Sequence, residues 1–335
     1  MGKWRPRIDA RLTARHSPRV MRRFLSLSVF TLLATPLLHA QDLGGDMALH
    51  KILIDGEDWR VAAEGHEFTD APCPDAEGNL YFCDLKGPNA GLYRLAPDGT
   101  QTRLNHHAVS GMKFVPGDST HLVGCQGSQK RLVIIPAGKF EGNTAPDAEV
   151  LATDVQPNDL VVSRAGVVYF TETGKKQVTA VDLKTKKLTV ADTGITAPNG
   201  IALSPDGGTL GVSDYRGGNV WVFRVEADGT LGGKAPYMTL RRPIDPKGEF
   251  KHWEAPPLAA ASGGDGMSTD QMGRWFVASA MGVQVFDPTG RECGLLTKPQ
   301  PAKPLTSCAV AGDTLYATNG DKVFRRKIKI GDAAK

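Results

Sequence analysis

Gly166-Val-Val-Tyr-Phe-Thr-Glu172, followed after a short loop by Gln177-Val-Thr-Ala-Val181, is a turn, a hydrophobic strand, a loop and a second strand. The turn-and-strand unit recurs six times in the 335 residues, at Gly78-Asn-Leu-Tyr-Phe82, Thr120-His-Leu-Val123, Gly166-Val-Val-Tyr-Phe170, Gly208-Thr-Leu-Gly-Val212, Gly273-Arg-Trp-Phe-Val277 and Asp313-Thr-Leu-Tyr316. Aligned on Leu80, Leu122, Val168, Leu210, Trp275 and Leu315, the units lie 42, 46, 42, 65 and 40 residues apart. Four of these five spacings fit the period of a four-stranded propeller blade, roughly 40–50 residues. Further strands follow at Gly91–Leu95, Arg131–Ile135, Asn219–Phe223 and Gly282–Phe286, several closed by Asp-Gly or Thr-Gly turns such as Pro97-Asp-Gly99 and Pro288-Thr-Gly290. Such turns between β-rich runs signal hairpins. The sequence predicts an all-β fold, a six-bladed β-propeller forming one domain over residues 41–335.

A ring of blades must be sealed, because an unpaired sheet edge invites aggregation. The segment Met47–Val61, with Ile52-Leu-Ile54 at its centre, is placed to supply an outer strand against the last blade at Val323–Ile328. The long spacing holds an insertion before the fifth blade, Pro236–Ser262, which carries Arg241, Arg242 and Trp253. A loop of this length is a lid or a surface excursion. As a lid it would bring Arg241 and Trp253 to a substrate.

The formal charge of +4 hides an uneven distribution. Residues 1–23 hold eight Lys or Arg against one acid, Asp9, and Phe24–Leu38 is uncharged and mostly apolar, ending in His39-Ala-Gln41. A basic stretch, an apolar stretch and a small residue before a polar start are the parts of a signal peptide, residues 1–40. As a helix the 15-residue run would reach about 22 Å, short of a ~30 Å bilayer core, so no stable membrane span is expected after cleavage. Met21 is a plausible true start. Cleavage after Ala40 would take the formal charge from +4 to −3. That excludes a nucleic-acid partner on electrostatic grounds and predicts export to the periplasm or medium.

Four repeats place an oxygen-bearing residue at nearly one offset before the landmark. Asp70, Asn158 and Asp265 lie 10 residues before it and Asn199 lies 11 before it. In the two other blades the same offset falls near Met112 and Leu305. Equal offset in a propeller means equal height beside the channel. Any one of these residues also suits an ordinary turn. Together they make a hard-oxygen set for one divalent cation, best Ca2+, with Mg2+ or Mn2+ as substitutes and Zn2+ less suited. Two carboxylates without a cation would raise one another's pKa.

Other candidates carry less. The five cysteines, Cys73, Cys83, Cys125, Cys293 and Cys308, include no C-x-x-C pair, and buried unpaired thiols are expected. His106 and His107 are loop neighbours; in a strand their rings would point to opposite faces. Ser163, Ser204 and Ser213 lack a nucleophile-elbow context.

The segments Pro157-Asn-Asp-Leu-Val-Val162, Ala197-Pro-Asn-Gly-Ile-Ala-Leu-Ser-Pro-Asp-Gly207 and Asp265-Gly-Met267 with Gly282-Val-Gln-Val-Phe-Asp287 resemble the gluconolactonase, regucalcin and luciferin-regenerating-enzyme family over roughly residues 58–330. The resemblance implies a six-bladed propeller with one divalent ion and hydrolysis of a small-molecule substrate, a sugar lactone or related ester. It implies metal ligands at Asn199 and Asp265, and a metal or substrate contact at Asn158. Where the family carries the Glu of Glu-Gly-Pro, this chain has Thr69-Asp-Ala-Pro72, so Asp70, a shorter carboxylate, takes that ligand's place. Asp265 is then the expected general base. A non-catalytic binding propeller with a structural ion, and an arylesterase or phosphotriesterase, remain alternatives on the same scaffold.

Overall fold

The computed structural model describes residues 43–44, 48–142, 144–249, 251 and 254–331. The expected signal peptide and Trp253 lie outside them. Six small antiparallel sheets follow one another along the chain, one per repeat. The first blade shows the plan: Thr69–Pro74 innermost, then Leu80–Asp84, Gly91–Leu95 and Gln101–Asn105. The six landmark residues all fall in second strands and are buried. Apart from three single 3-10 turns, no helix occurs among the described residues.

Alternation along strands buried on both faces yields six apolar clusters, one between each pair of neighbouring blades. Cys73, Leu92, Met112 and Val133 fill one such cluster. Leu80, Phe82, Tyr93, Ala309 and Tyr316 join the first blade to the last. All five cysteines are free and buried.

The ring is sealed as the sequence predicts, though by the end of the expected segment. Arg60–Ala63 pairs antiparallel with Lys322–Lys327, the last strand among the described residues, with Val61 opposite Phe324. Upstream, Leu49 and Ile52 plug the core between blades five and six. The insertion is shorter than expected, because Pro236–Thr239 belongs to the outer strand of blade four, Leu231–Thr239. What remains is an excursion pinned by the Ile244–Leu258 bridge and by Ala259 donating to the Pro243 carbonyl at 2.8 Å.

Candidate metal and substrate site

Each inner strand enters the channel at the same end of the ring, and the backbone fixes which residue stands there. The Asn158 N–H donates to the Thr171 carbonyl at 2.9 Å, and the Asp265 N–H to Ala278 at 2.8 Å. In blade two it is Ser110 that donates to Cys125, at 3.0 Å. In blade six the place belongs to Thr306, whose hydroxyl lies 3.2 Å from the Thr318 carbonyl. Met112 and Leu305 therefore do not hold the equivalent positions, and the ring is polar in all six blades. The offset fails there because the first hairpin of blade two is long, residues 115–120, and that of blade six short, residues 312–313.

A girdle of hydroxyls, two at the ends of second strands (Thr171 and Ser213) and two on ring residues themselves (Ser110 and Thr306), locks these positions blade to blade. The Thr171 hydroxyl donates to the Asn199 carbonyl at 2.6 Å. The Ser213 hydroxyl accepts from the Gly200 N–H at 2.8 Å and lies 2.9 Å from the Asp265 carbonyl. The Ser110 hydroxyl donates to the Asn158 carbonyl at 2.6 Å, and the Thr306 hydroxyl to the Thr69 carbonyl at 2.9 Å. One residue further along stands a buried acid that holds the incoming loop. Asp84 accepts from Glu67 and Phe68, Glu172 from Gln156, and Asp214 from Thr196 and Ala197. Each bonded N–H sits two or three residues before a ring residue, so these carboxylates aim the ring without joining it.

The glycines of the Pro-Asn-Gly and Asp-Gly-Met stretches have a packing reason. A Cβ on Gly200 would stand 2.0 Å from the Asp265 carbonyl oxygen, and one on Gly266 would stand 2.1 Å from the Ser307 hydroxyl. Only the smallest residue lets neighbouring inner strands approach so closely.

The ring carries strained electrostatics. Burial pushes Asp70 up to about 7; the Ala71 N–H at 2.8 Å opposes this, and Asp159 reinforces it. Burial, then Asp70 and Asp159, raise Asp265 well above the usual carboxylate range, against the Gly266 N–H at 3.0 Å and the Asn199 amide. Neither Asp70 nor Asp265 has an ion-pair partner among the described residues. Ala71, beside Asp70, has φ +55°, a left-handed conformation costly for any residue with a Cβ.

Asp159 is a member of this cluster that the offset pattern misses. Burial raises it to about 6, partly offset by Lys113. Its carboxylate accepts from Leu160 at 2.8 Å and from Ile201 at 3.1 Å, tying blade three to blade four. Its place in Pro157-Asn158-Asp159 was the available signal.

Among the described residues no three His, Cys, Asp or Glu side chains gather closely enough to hold an ion by themselves. A cation here would rest on two carboxylates completed by amide and water oxygens. Asp70, Asn158, Asn199 and Asp265 all occupy ring positions. Arg241 does not join them: its Nε lies 2.5 Å from Glu292 in the fourth strand of blade five, and Gln284 clamps its backbone on both sides. That commitment removes its expected role at the substrate.

Beside Asn158 opens a cavity of about 750 Å³ between blades one, two and three, lined among others by His106, Ser110, Gln126 and Arg131. Its size is typical of small-molecule sites. His106 and His107 follow the end of a strand, so alternation does not separate them, and their rings lie 4.3 Å apart. His107 Nε2 is 2.8 Å from the Pro146 carbonyl, an ordinary structural contact.

A family model described as the SMP-30/Gluconolactonase/LRE-like region matches residues 68–320. A gluconolactonase of Zymomonas mobilis is 30% identical over 191 residues, 52% of this chain and 50% of that protein, so the chain spans about half the length of this curated relative. Among solved structures, a gluconolactonase from Xanthomonas campestris superposes with TM-score 0.66 at 21% identity, covering 86% of this chain and 95% of that one. A calcium-binding regucalcin from Agrobacterium tumefaciens gives TM-score 0.61 at 18% identity, covering 82% and 95%. These two structural likenesses are of fold.

Proposed function

Since the chain belongs to the SMP-30/gluconolactonase/LRE-like family, we propose that it is an exported, calcium-dependent hydrolase of sugar lactones or related small esters. The observation that carries this reading is the ring of Asp70, Asn158, Asn199 and Asp265 beside a cavity of small-molecule size. The ring suits a divalent cation: two carboxylates raised by burial and by neighbouring acids, Asp159 on both and Asp70 on Asp265, have no cationic side chain to balance them, and side-chain amides complete an all-oxygen set.

When bound, the cation supplies Lewis-acid polarisation of a carbonyl oxygen. Asp265 accepts the proton as water adds to the lactone carbonyl carbon. It returns that proton to the ring oxygen when the carbon–oxygen bond breaks, giving the open hydroxy acid. Asn199 donates to Asp265 and so fixes the face this carboxylate presents. Asn158 stands between the ring and the cavity, placed to orient the lactone. The exported location rests on the basic and apolar segments ahead of Gln41.

Lactone hydrolysis measured with calcium, with EDTA and in Asp265→Ala tests the proposal. Loss of turnover in the last two is expected, and full activity in either would refute the mechanism. Aryl ester and phosphotriester substrates in the same panel separate the alternative hydrolases. A protein that binds sugars and turns over nothing in the panel would be a binding propeller.

A further inference from the structure

The cavity beside Asn158 contains one guanidinium, and its surroundings leave it unneutralised. Arg131 begins the third strand of blade two, directly across from Gln126 at the end of the second. Gln126 is buried, and its Oε1 accepts from Arg131 Nε at 2.7 Å. That bond uses the side of the guanidinium and leaves the Nη1–Nη2 edge uncommitted, the edge that takes a carboxylate or phosphate with two parallel hydrogen bonds. Arg131 has no carboxylate within ion-pair distance among the described residues. Asp147 also lines the cavity, but it is exposed. At the other end of the same wall, Ser110 bonds to Asn158, so the cavity runs from the ring to Arg131.

We propose that Arg131, held by Gln126, is a specificity determinant that receives an anionic group on the substrate, remote from the carbonyl that reacts at the ring. The substrate class is thereby narrowed to sugar lactones bearing a carboxylate or phosphate. This rests on the lactonase reading for the chemistry, and on the geometry of the cavity alone for the anion. A neutral sugar lactone would leave the charged edge to water. An anionic one gains a charge-assisted pair in a partly desolvated pocket, an interaction that typically changes affinity by about 10- to 100-fold.

Two measurements on the calcium-loaded protein test it. In the first, kcat/KM is compared for a neutral aldonolactone, a lactone bearing a terminal carboxylate and a lactone bearing a terminal phosphate. The wild type should prefer at least one anionic lactone about tenfold or more, and which one identifies the anion. Arg131→Gln should erase that preference mainly through KM, and Arg131→Lys should restore part of it. In the second, calorimetry compares an aldarate, a sugar phosphate and a neutral alditol on wild type and Arg131→Gln. Arg131-dependent binding of an anion without turnover of any lactone would sustain the anion site and sink the lactonase. Equal loss on neutral and anionic ligands in Arg131→Gln, or no anion preference in the wild type, would overturn the inference.

Discussion

Replacing Thr171 by Val keeps the side chain's shape and removes one hydroxyl from the centre of the ring. Thr171 is fully buried, and its Oγ1 donates to the Asn199 carbonyl at 2.6 Å while accepting from the Asp159 N–H at 3.2 Å. Its backbone bonds to Asn158 and Asp159 would survive. The substitution strands one acceptor and one donor. Each buried unsatisfied group costs about 1–3 kcal/mol, and the Asp159 N–H bond is already long, so a total loss of about 2–4 kcal/mol is expected. A domain of ordinary stability, about 5–15 kcal/mol, still folds. Because this hydroxyl holds the backbone of Asn199 in blade four and the N–H next to Asn158 in blade three, calcium affinity should fall about 10- to 100-fold, as when a partner behind a metal ligand is lost.

The assay is urea denaturation with EDTA and with saturating calcium, together with calcium titration of the folded variant. Tyr169→Phe serves as the control: it removes a 2.7 Å bond from blade three to the Gly229 carbonyl, in a turn of blade four, but touches no ring residue. It should lower stability and leave calcium affinity alone. The girdle argument is refuted if Thr171→Val binds calcium within twofold of wild type, or if the control weakens binding as much.

Gly200→Ala forces a Cβ to within 2.0 Å of a backbone oxygen in the next blade, so a loss of about 3 kcal/mol or more is expected, with weakened calcium binding; thermal melts with and without calcium check both. Burial holds the His107 pKa below 6.5, against the Pro146 carbonyl, so the folded state favours neutral imidazole. Its contribution to stability is complete above about pH 6.5 and is lost as pH falls from there toward the folded value; urea midpoints between pH 5 and 7 should show a slope that His107→Asn flattens. Thiol titration should find almost nothing in the folded protein and all five cysteines after denaturation, since every one is buried and unpaired. Amino-terminal sequencing of protein recovered outside the cytoplasm should begin at Gln41; retention of residues 1–40 would refute cleavage.

The blades were legible in the sequence because closing a propeller imposes a period. Every blade needs its turn before the second strand, and that strand must be apolar on both faces. The places of Asp70, Asn158, Asn199 and Asp265 were legible for the same reason, since in those four blades inner strand and hairpin together span nearly the same number of residues. Ser110 and Thr306 were not, because hairpins of six and two residues shift the count while backbone pairing keeps the height. Asp159 could be seen but not assigned: whether a carboxylate faces the channel or ties two blades depends on which N–H groups the next blade presents, here Ile201. Arg241 was misplaced because an insertion has no period, and only packing decides that Glu292 captures its guanidinium. The sequence by itself determined the architecture and the places of four residues in the polar ring, properties that recur at fixed intervals. Tertiary structure alone decided the electrostatics and the hydroxyl girdle, because these depend on contacts between blades whose partners lie tens to hundreds of residues apart; it also decided that Arg131, bonded within its own blade to Gln126, meets no carboxylate among the described residues of the blades beside it.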